Sequence, residues 1–296
     1  MARFASDTGF TAVSFALWRA AVSALALVTF LAVGGALGRV PRQRLSVIGW
    51  LGWLQLLAMG AFVAGTTVSL FFAFERTTIA TALIVFYTFP VWVALAATRV
   101  FDEHLDARRL AAMALSGVGL VLLLVSPSAA DDGGLDLLGV SLALLASLCQ
   151  TGFALVGAGG FRSVPPLQSA ALLRLFSLAI YGVLLVPLLI LLGQAATITD
   201  PLGSVEAWAL ILAAGVLSAA IPAVLIIVGY RRVGSTRGAV LMLVEPVTGV
   251  ILAALLLAEQ PTPLQVAGGL LVLVGAALVQ LAPLSRPSPE RQPATD

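Results

Sequence analysis

The sequence has no lysine and no asparagine, and only one cysteine (Cys149) and one histidine (His104) in 296 residues. A disulfide framework needs paired cysteines. A Cys/His zinc site or a Cys–His dyad needs more ligands, or the two close together. Charge is also scarce: 10% of residues are Asp, Glu, Lys or Arg, against about 25% in soluble domains. The net charge is +2, and the arginines are scattered rather than patched, so nucleic acid is not an expected partner. No phosphate-cradling loop ending in lysine is present, so ATP is not the direct energy source. An enzyme is not expected either. Membrane hydrolases and transferases need paired acids, a Ser–His pair or a metal cluster, and here one intramembrane acid stands alone. No cofactor and no metal are expected.

What is abundant is apolar sequence: 60% of residues are hydrophobic and the mean hydropathy is +1.08. A spanning helix needs about 20 apolar residues, and lipid leaves no open backbone group satisfied, so helices are the natural spanning elements. Nine segments fit: A at 11–38, B 47–74, C 78–98, D 108–126, E 136–159, F 166–193, G 207–230, H 233–257 and I 263–282. Segment A is too long for a signal peptide, holds Arg19 and lacks a clear cleavage site. The links hold no soluble domain, and residues 283–296, rich in proline and charge, read as a disordered tail. His104, with Asp102, Glu103 and Asp106, reads as a solvated loop, since Arg108 and Arg109 follow directly.

Arginine placement sets an orientation. With the A–B link inside, alternation puts eleven arginines inside (Arg39, Arg42, Arg44, Arg99, Arg108, Arg109, Arg162, Arg231, Arg232, Arg286 and Arg291) and leaves only Arg3 and Arg76 outside. The C-terminus is then cytoplasmic.

The chain also resembles itself. At an offset of 156, Phe74 pairs with Tyr230, Arg76 with Arg232, Pro90 with Pro246, Glu103 with Glu259 and Gly119 with Gly275. At 155, Ser14, Ala16, Leu17 and Arg19 pair with Ser169, Ala171, Leu172 and Arg174. Paired loops fall on opposite sides, which makes the repeat inverted, a common transporter design. Segment E has no partner; its counterpart would precede Met1. The expected fold is therefore an all-α, polytopic membrane protein of nine helices. It is an inverted repeat of a five-helix unit with its first helix missing, in two halves at 1–126 and 136–282.

Ala16-Leu17-Trp18-Arg19, Leu172-Leu173-Arg174, Leu243-Val244-Glu245-Pro246-Val247, Glu259, Gly268-Gly269 and Gly275 resemble the drug/metabolite transporter superfamily of the EamA-domain type. The resemblance spans about residues 11–282. It implies ten helices, of which this chain lacks the first, and a central cavity built mainly by the helices matching B, C, E, G and H. It implies a secondary transporter of the inner membrane, exporting amino acids or other small metabolites or drugs by alternating access. The alternative is a nine-helix subunit or truncated product that works only with a partner. Expected partners are a small-molecule substrate and the lipid bilayer, with a homodimer left open.

Ionisable groups deep in a membrane are costly and usually functional. Arg19 and Arg174 lie about eight residues into their helices, near 12 Å deep at 1.5 Å per residue. They either clamp neighbouring carbonyls or hold substrate. Glu245 precedes Pro246, which frees a carbonyl one turn earlier. It is a candidate coupling or cavity residue, against a neutral Glu capping the break. Tyr87, Trp92 and Gln150 are the other cavity candidates, with helix–helix bonding as the alternative. Pro90, Pro222 and Pro246 are candidate hinges. Tyr230 and Trp208 read as interface anchors, and Gly34/Gly38 and Gly234/Gly238 as close helix contacts. Cys149 reads as a small apolar filler.

Overall fold

The structure is a computed structural model that describes residues 10–77, 79–101, 106–125, 136–159, 164–191, 193–199, 203–257 and 262–281. Among these residues there is no strand. The helices are α1 (Ala12–Ala36), α2 (Trp50–Arg76), α3 (Ile79–Phe86), α4 (Phe89–Val100), α5 (Ala107–Leu124), α6 (Leu137–Gly159), α7 (Pro166–Leu191), the single turn α8 (Ala196–Thr199), α9 (Val205–Gly215), α10 (Ile221–Val233), α11 (Ser235–Met242), α12 (Val244–Leu257) and α13 (Pro263–Leu281). A π-helical turn, Val216–Ala220, joins α9 to α10.

Six stretches are long and apolar enough to cross a membrane among the described residues: Val13–Ala36, Trp50–Arg76, Thr81–Val100, Leu137–Gly159, Pro166–Leu191 and Val205–Val233. The chain is a multi-pass membrane protein. Segments D, H and I are helical too, as α5, α11–α12 and α13, but they are shorter or interrupted. Outward faces across the chain stay apolar, as lipid requires: Leu25, Phe30, Val183, Leu184, Leu217 and Leu255 are all exposed.

Proline explains the interruptions. Pro90 and Pro246 lack the N–H that would bond one turn back. The chain breaks just before each, at Tyr87-Thr88 and at Leu243. The backbone at each break bonds locally: Tyr87 N donates to Leu83 O at 2.8 Å, and Leu243 N to Val240 O at 3.0 Å. Thr88 Oγ1 donates to Val85 O at 2.7 Å. Pro222 follows the π-helical turn, where one extra residue per turn absorbs the same defect. The element boundaries match across the chain: α3 begins at 79 and ends at 86, α11 begins at 235 and ends at 242, both 156 residues on.

Packing is closest where glycine removes the side chain. A Cβ on Gly119 would lie 2.6 Å from Gly268 O, and one on Gly275 would lie 2.8 Å from Ala112 O, so α5 and α13 touch backbone to backbone. Gly60 lets α2 approach α7, and Ser177 Oγ donates across that contact to Gly60 O at 3.0 Å. The spaced glycines expected to join helices do other work. Gly38 (φ 65°) and Gly234 (φ 83°) adopt the left-handed region that ends α1 and α10. Gly34 receives the folded-back Val40, and Gly238 receives the ring of Tyr230. Tyr230 is no interface anchor: it is 2% exposed, because Phe153, Gly157 and Gly238 enclose its ring. Trp208 is half-exposed and meets Trp18 edge-on at 6.1 Å.

Candidate substrate cavity

A cavity of about 300 Å³ opens between several helices, at the level where α3 ends and α12 begins. Arg19 from α1 and Arg174 from α7 project into it, with Thr66 and Thr67 from α2. The two breaks supply Tyr87 and Glu245, while α6 supplies Gln150 and Phe153. Ala223 and Ile226 of α10 complete the wall. The resemblance assigned the wall to the equivalents of B, C, E, G and H; α1 and α7 also reach it, while α5 and α13 contribute nothing to it.

The break in α3–α4 turns Tyr87 inward, and its hydroxyl is a hydrogen-bond partner of the Glu245 side chain at the start of α12. The two interrupted helices therefore meet through side chains at their breaks. Glu245 remains accessible because it fronts the cavity instead of packing into the core. Its neighbour Thr248 turns back, Oγ1 donating to Glu245 O at 2.7 Å.

Arg174 Nη2 donates to Ala219 O at 3.1 Å, in the π-helical turn. That bond pairs a buried guanidinium with a carbonyl of an irregular helix, and it leaves the Arg174 Nε without a partner. Arg19 lies within electrostatic reach of Arg174, Glu245 and Tyr181. Two positive groups and one acid thus share a small space. A charge at the bilayer centre costs about 3 kcal/mol by insertion measures, and here all three line the one cavity. Tyr181, 2% exposed and paired with Thr67, completes this polar core. Sequence reasoning missed Tyr181, Thr66 and Thr67, since isolated hydroxyls in apolar helices carry no spacing signal.

The other expected site residues have other surroundings. Trp92 does not line this cavity. It points outward from α4, 38% exposed, its Nε1 donating to Thr88 Oγ1 at 3.2 Å. Pro90, Pro222 and Pro246 each sit in the first turn of the helix that restarts after an interruption. Cys149 rests against Gly65. Asp106 caps α5 by accepting from Arg109 N at 2.9 Å. Residues 102–105, with His104, and Glu259 lie outside the described residues, as does the tail expected at 283–296.

A family model described as the EamA-like transporter family matches the chain twice, over residues 1–125 and 137–281. The chain belongs to the EamA-like transporter family. This membership points to a membrane transporter of the drug/metabolite transporter type rather than an enzyme, with a small-molecule substrate and a lipid environment. No curated protein matches the chain in sequence. The chain is similar to a protein of known crystal structure at 21% identity, with a TM-score of 0.70, over 94% of this chain and 92% of that one. At that identity the likeness shows the fold alone. The EamA-like helices thus frame the cavity described above.

Proposed function

We propose that this EamA-like protein is a secondary transporter of the cytoplasmic membrane. It exports amino acids or other small zwitterionic metabolites or drugs by alternating access. The observation that carries this reading is the gathering of Arg19, Arg174, Glu245 and Tyr87 around one cavity between two interrupted helices. A volume of about 300 Å³ lies at the small end of ligand pockets and suits an amino-acid-sized compound. Two guanidiniums match a carboxylate, Glu245 matches an ammonium, and Phe86, Phe89 and Phe153 supply an apolar wall.

Nine spans in an inverted repeat, in halves at 1–126 and 136–282, account for the shared boundaries of α3 and α11. They also account for the paired glycines of α5 and α13 meeting at one seam. In this arrangement the halves rock about the cavity, with Pro90, Pro222 and Pro246 as hinges and the C-terminus in the cytoplasm. Glu245 is the coupling group, exchanging a proton as substrate enters or leaves.

The test is transport by purified protein in proteoliposomes loaded in turn with amino acids and amphipathic drugs. Release of at least one zwitterionic compound faster than from empty liposomes is expected, driven further by a pH gradient in wild type and not in Glu245→Gln. Release no faster than from empty liposomes for every compound overturns the proposal.

A further inference from the structure

A second cavity, of about 430 Å³, opens where α1 and α7 lie side by side near the α1–α2 connection. Its floor is apolar: Val28 and Leu31 of α1, and Ala171, Leu172 and Leu175 of α7. Its rim carries Arg42 and Arg44. The rim is held in place from three sides. The chain turns back on the end of α1, where Arg39 N and Val40 N donate to Gly34 O at 2.9 and 3.1 Å and Arg42 lies over Gly35. The buried Gln168 of α7 clamps Gln43 twice, accepting from its N at 2.8 Å and donating to its O at 2.9 Å. Beyond the rim, Ile48 is buried against Leu56 and Val164.

We propose that this groove is a binding site for an anionic phospholipid. The depth is right. Trp50, 73% exposed at the first residue of α2, marks the headgroup level. Arg42 and Arg44 sit just before it in the chain, and the apolar floor runs from there along the two helices toward the hydrocarbon. An acyl chain lies on the floor, and the phosphate meets two guanidiniums that have no acidic partner among the described residues. Basic pockets between spanning helices hold anionic headgroups in this way. In the proposed orientation the leaflet is the cytoplasmic one. The lipid bridges α1 and α7, the helices that carry Arg19 and Arg174, so its occupancy bears on the rigidity of the cavity. The site itself does not depend on the transport reading.

The test uses the purified full chain, stripped of lipid. Native mass spectrometry and thermal unfolding are followed while phosphatidylglycerol, phosphatidylcholine or inorganic phosphate is added. Phosphatidylglycerol is expected to stay bound and raise the unfolding midpoint, and the other two are not. Each arginine is worth about a factor of five near an anionic surface. Arg42→Gln with Arg44→Gln is therefore expected to weaken phosphatidylglycerol about twenty-five-fold. Arg108→Gln, at an exposed helix end away from the groove, is expected to leave it within about twofold. Leu175→Trp fills the groove without touching the arginines and is expected to weaken the same lipid by about fivefold or more. Equal retention of phosphatidylcholine, stabilisation by inorganic phosphate alone, or undiminished binding in both the groove-filled and the arginine variants overturns the proposal. Failure of transport in any liposome leaves this binding readout intact, so the two proposals fail separately.

Discussion

The two interrupted helices break at matching positions and carry different chemistry. The first offers Tyr87 and Phe89 at its break; 156 residues on, the second offers Leu243 and Glu245. Pro90 and Pro246 stand at the same offset, so the backbone defect is common to both. The acid is not. Phe89 is 1% exposed and packs beside Phe86 at 5.6 Å, whereas Glu245 faces open space and bonds the tyrosine of the opposite break. The difference teaches that the backbone design is shared while the polar chemistry is concentrated on one side, where a single acid needs no duplicate.

The comparison is broken most severely at the shared seam. Gly119→Leu and Gly275→Leu each drive a side chain into the opposing helix backbone, and both are expected to cost about 3 kcal/mol or more. The measurements are the monodisperse yield and the unfolding midpoint in detergent. Similar losses from both glycines sharpen the picture of a common design; tolerance of either one breaks it.

Next in size is the unshared position. Glu245→Gln keeps the shape and a hydrogen-bonding group, so the unfolding midpoint is expected to hold while transport in proteoliposomes falls at least about tenfold. Phe89→Leu should do the reverse. It loses buried aromatic packing worth about 1–2 kcal/mol, lowering the midpoint; leucine keeps the cavity wall apolar at this position, so transport is expected to fall by no more than about threefold. The same pattern for both residues would dissolve the asymmetry.

The sequence carried much of this in advance, for identifiable reasons. Apolar runs place helices wherever lipid forbids anything else, and the described residues of those runs are helical, six stretches being long and apolar enough to cross a membrane. Proline before a missing N–H predicts where a helix fails, and Arg19, Arg174 and Glu245 stand out because charge is rare in such runs. Which aromatic faces the cavity was not legible. Tyr87 and Trp92 are five residues apart and equally plausible by depth. Only the turn at Tyr87-Thr88, which rotates α4 relative to α3, sends one inward and the other toward lipid. Tyr230 departs from the expected interface anchor for a related reason, since chain position near a segment end says nothing about the glycines that other helices present to its ring.

Smaller effects refine the pair. Tyr87→Phe removes one hydrogen bond to Glu245, worth about 1 kcal/mol, and is expected to slow transport about fivefold without unfolding the protein; stopped transport would make the tyrosine more than a partner of the acid. Trp92→Phe loses only the exposed bond to Thr88 and is expected to shift stability by less than about 0.5 kcal/mol, with transport unchanged.

The proposed alternating-access cycle requires one cavity that faces each side of the membrane in turn. Its most direct test places a single cysteine at Val63, on the cavity wall, in a Cys149→Ala background. Membrane-impermeant maleimide is then applied from either side of oriented vesicles. Labelling from both sides, slowed by the transported compound, is the predicted result. Labelling from one side only, at a rate that no transported compound changes, would contradict it.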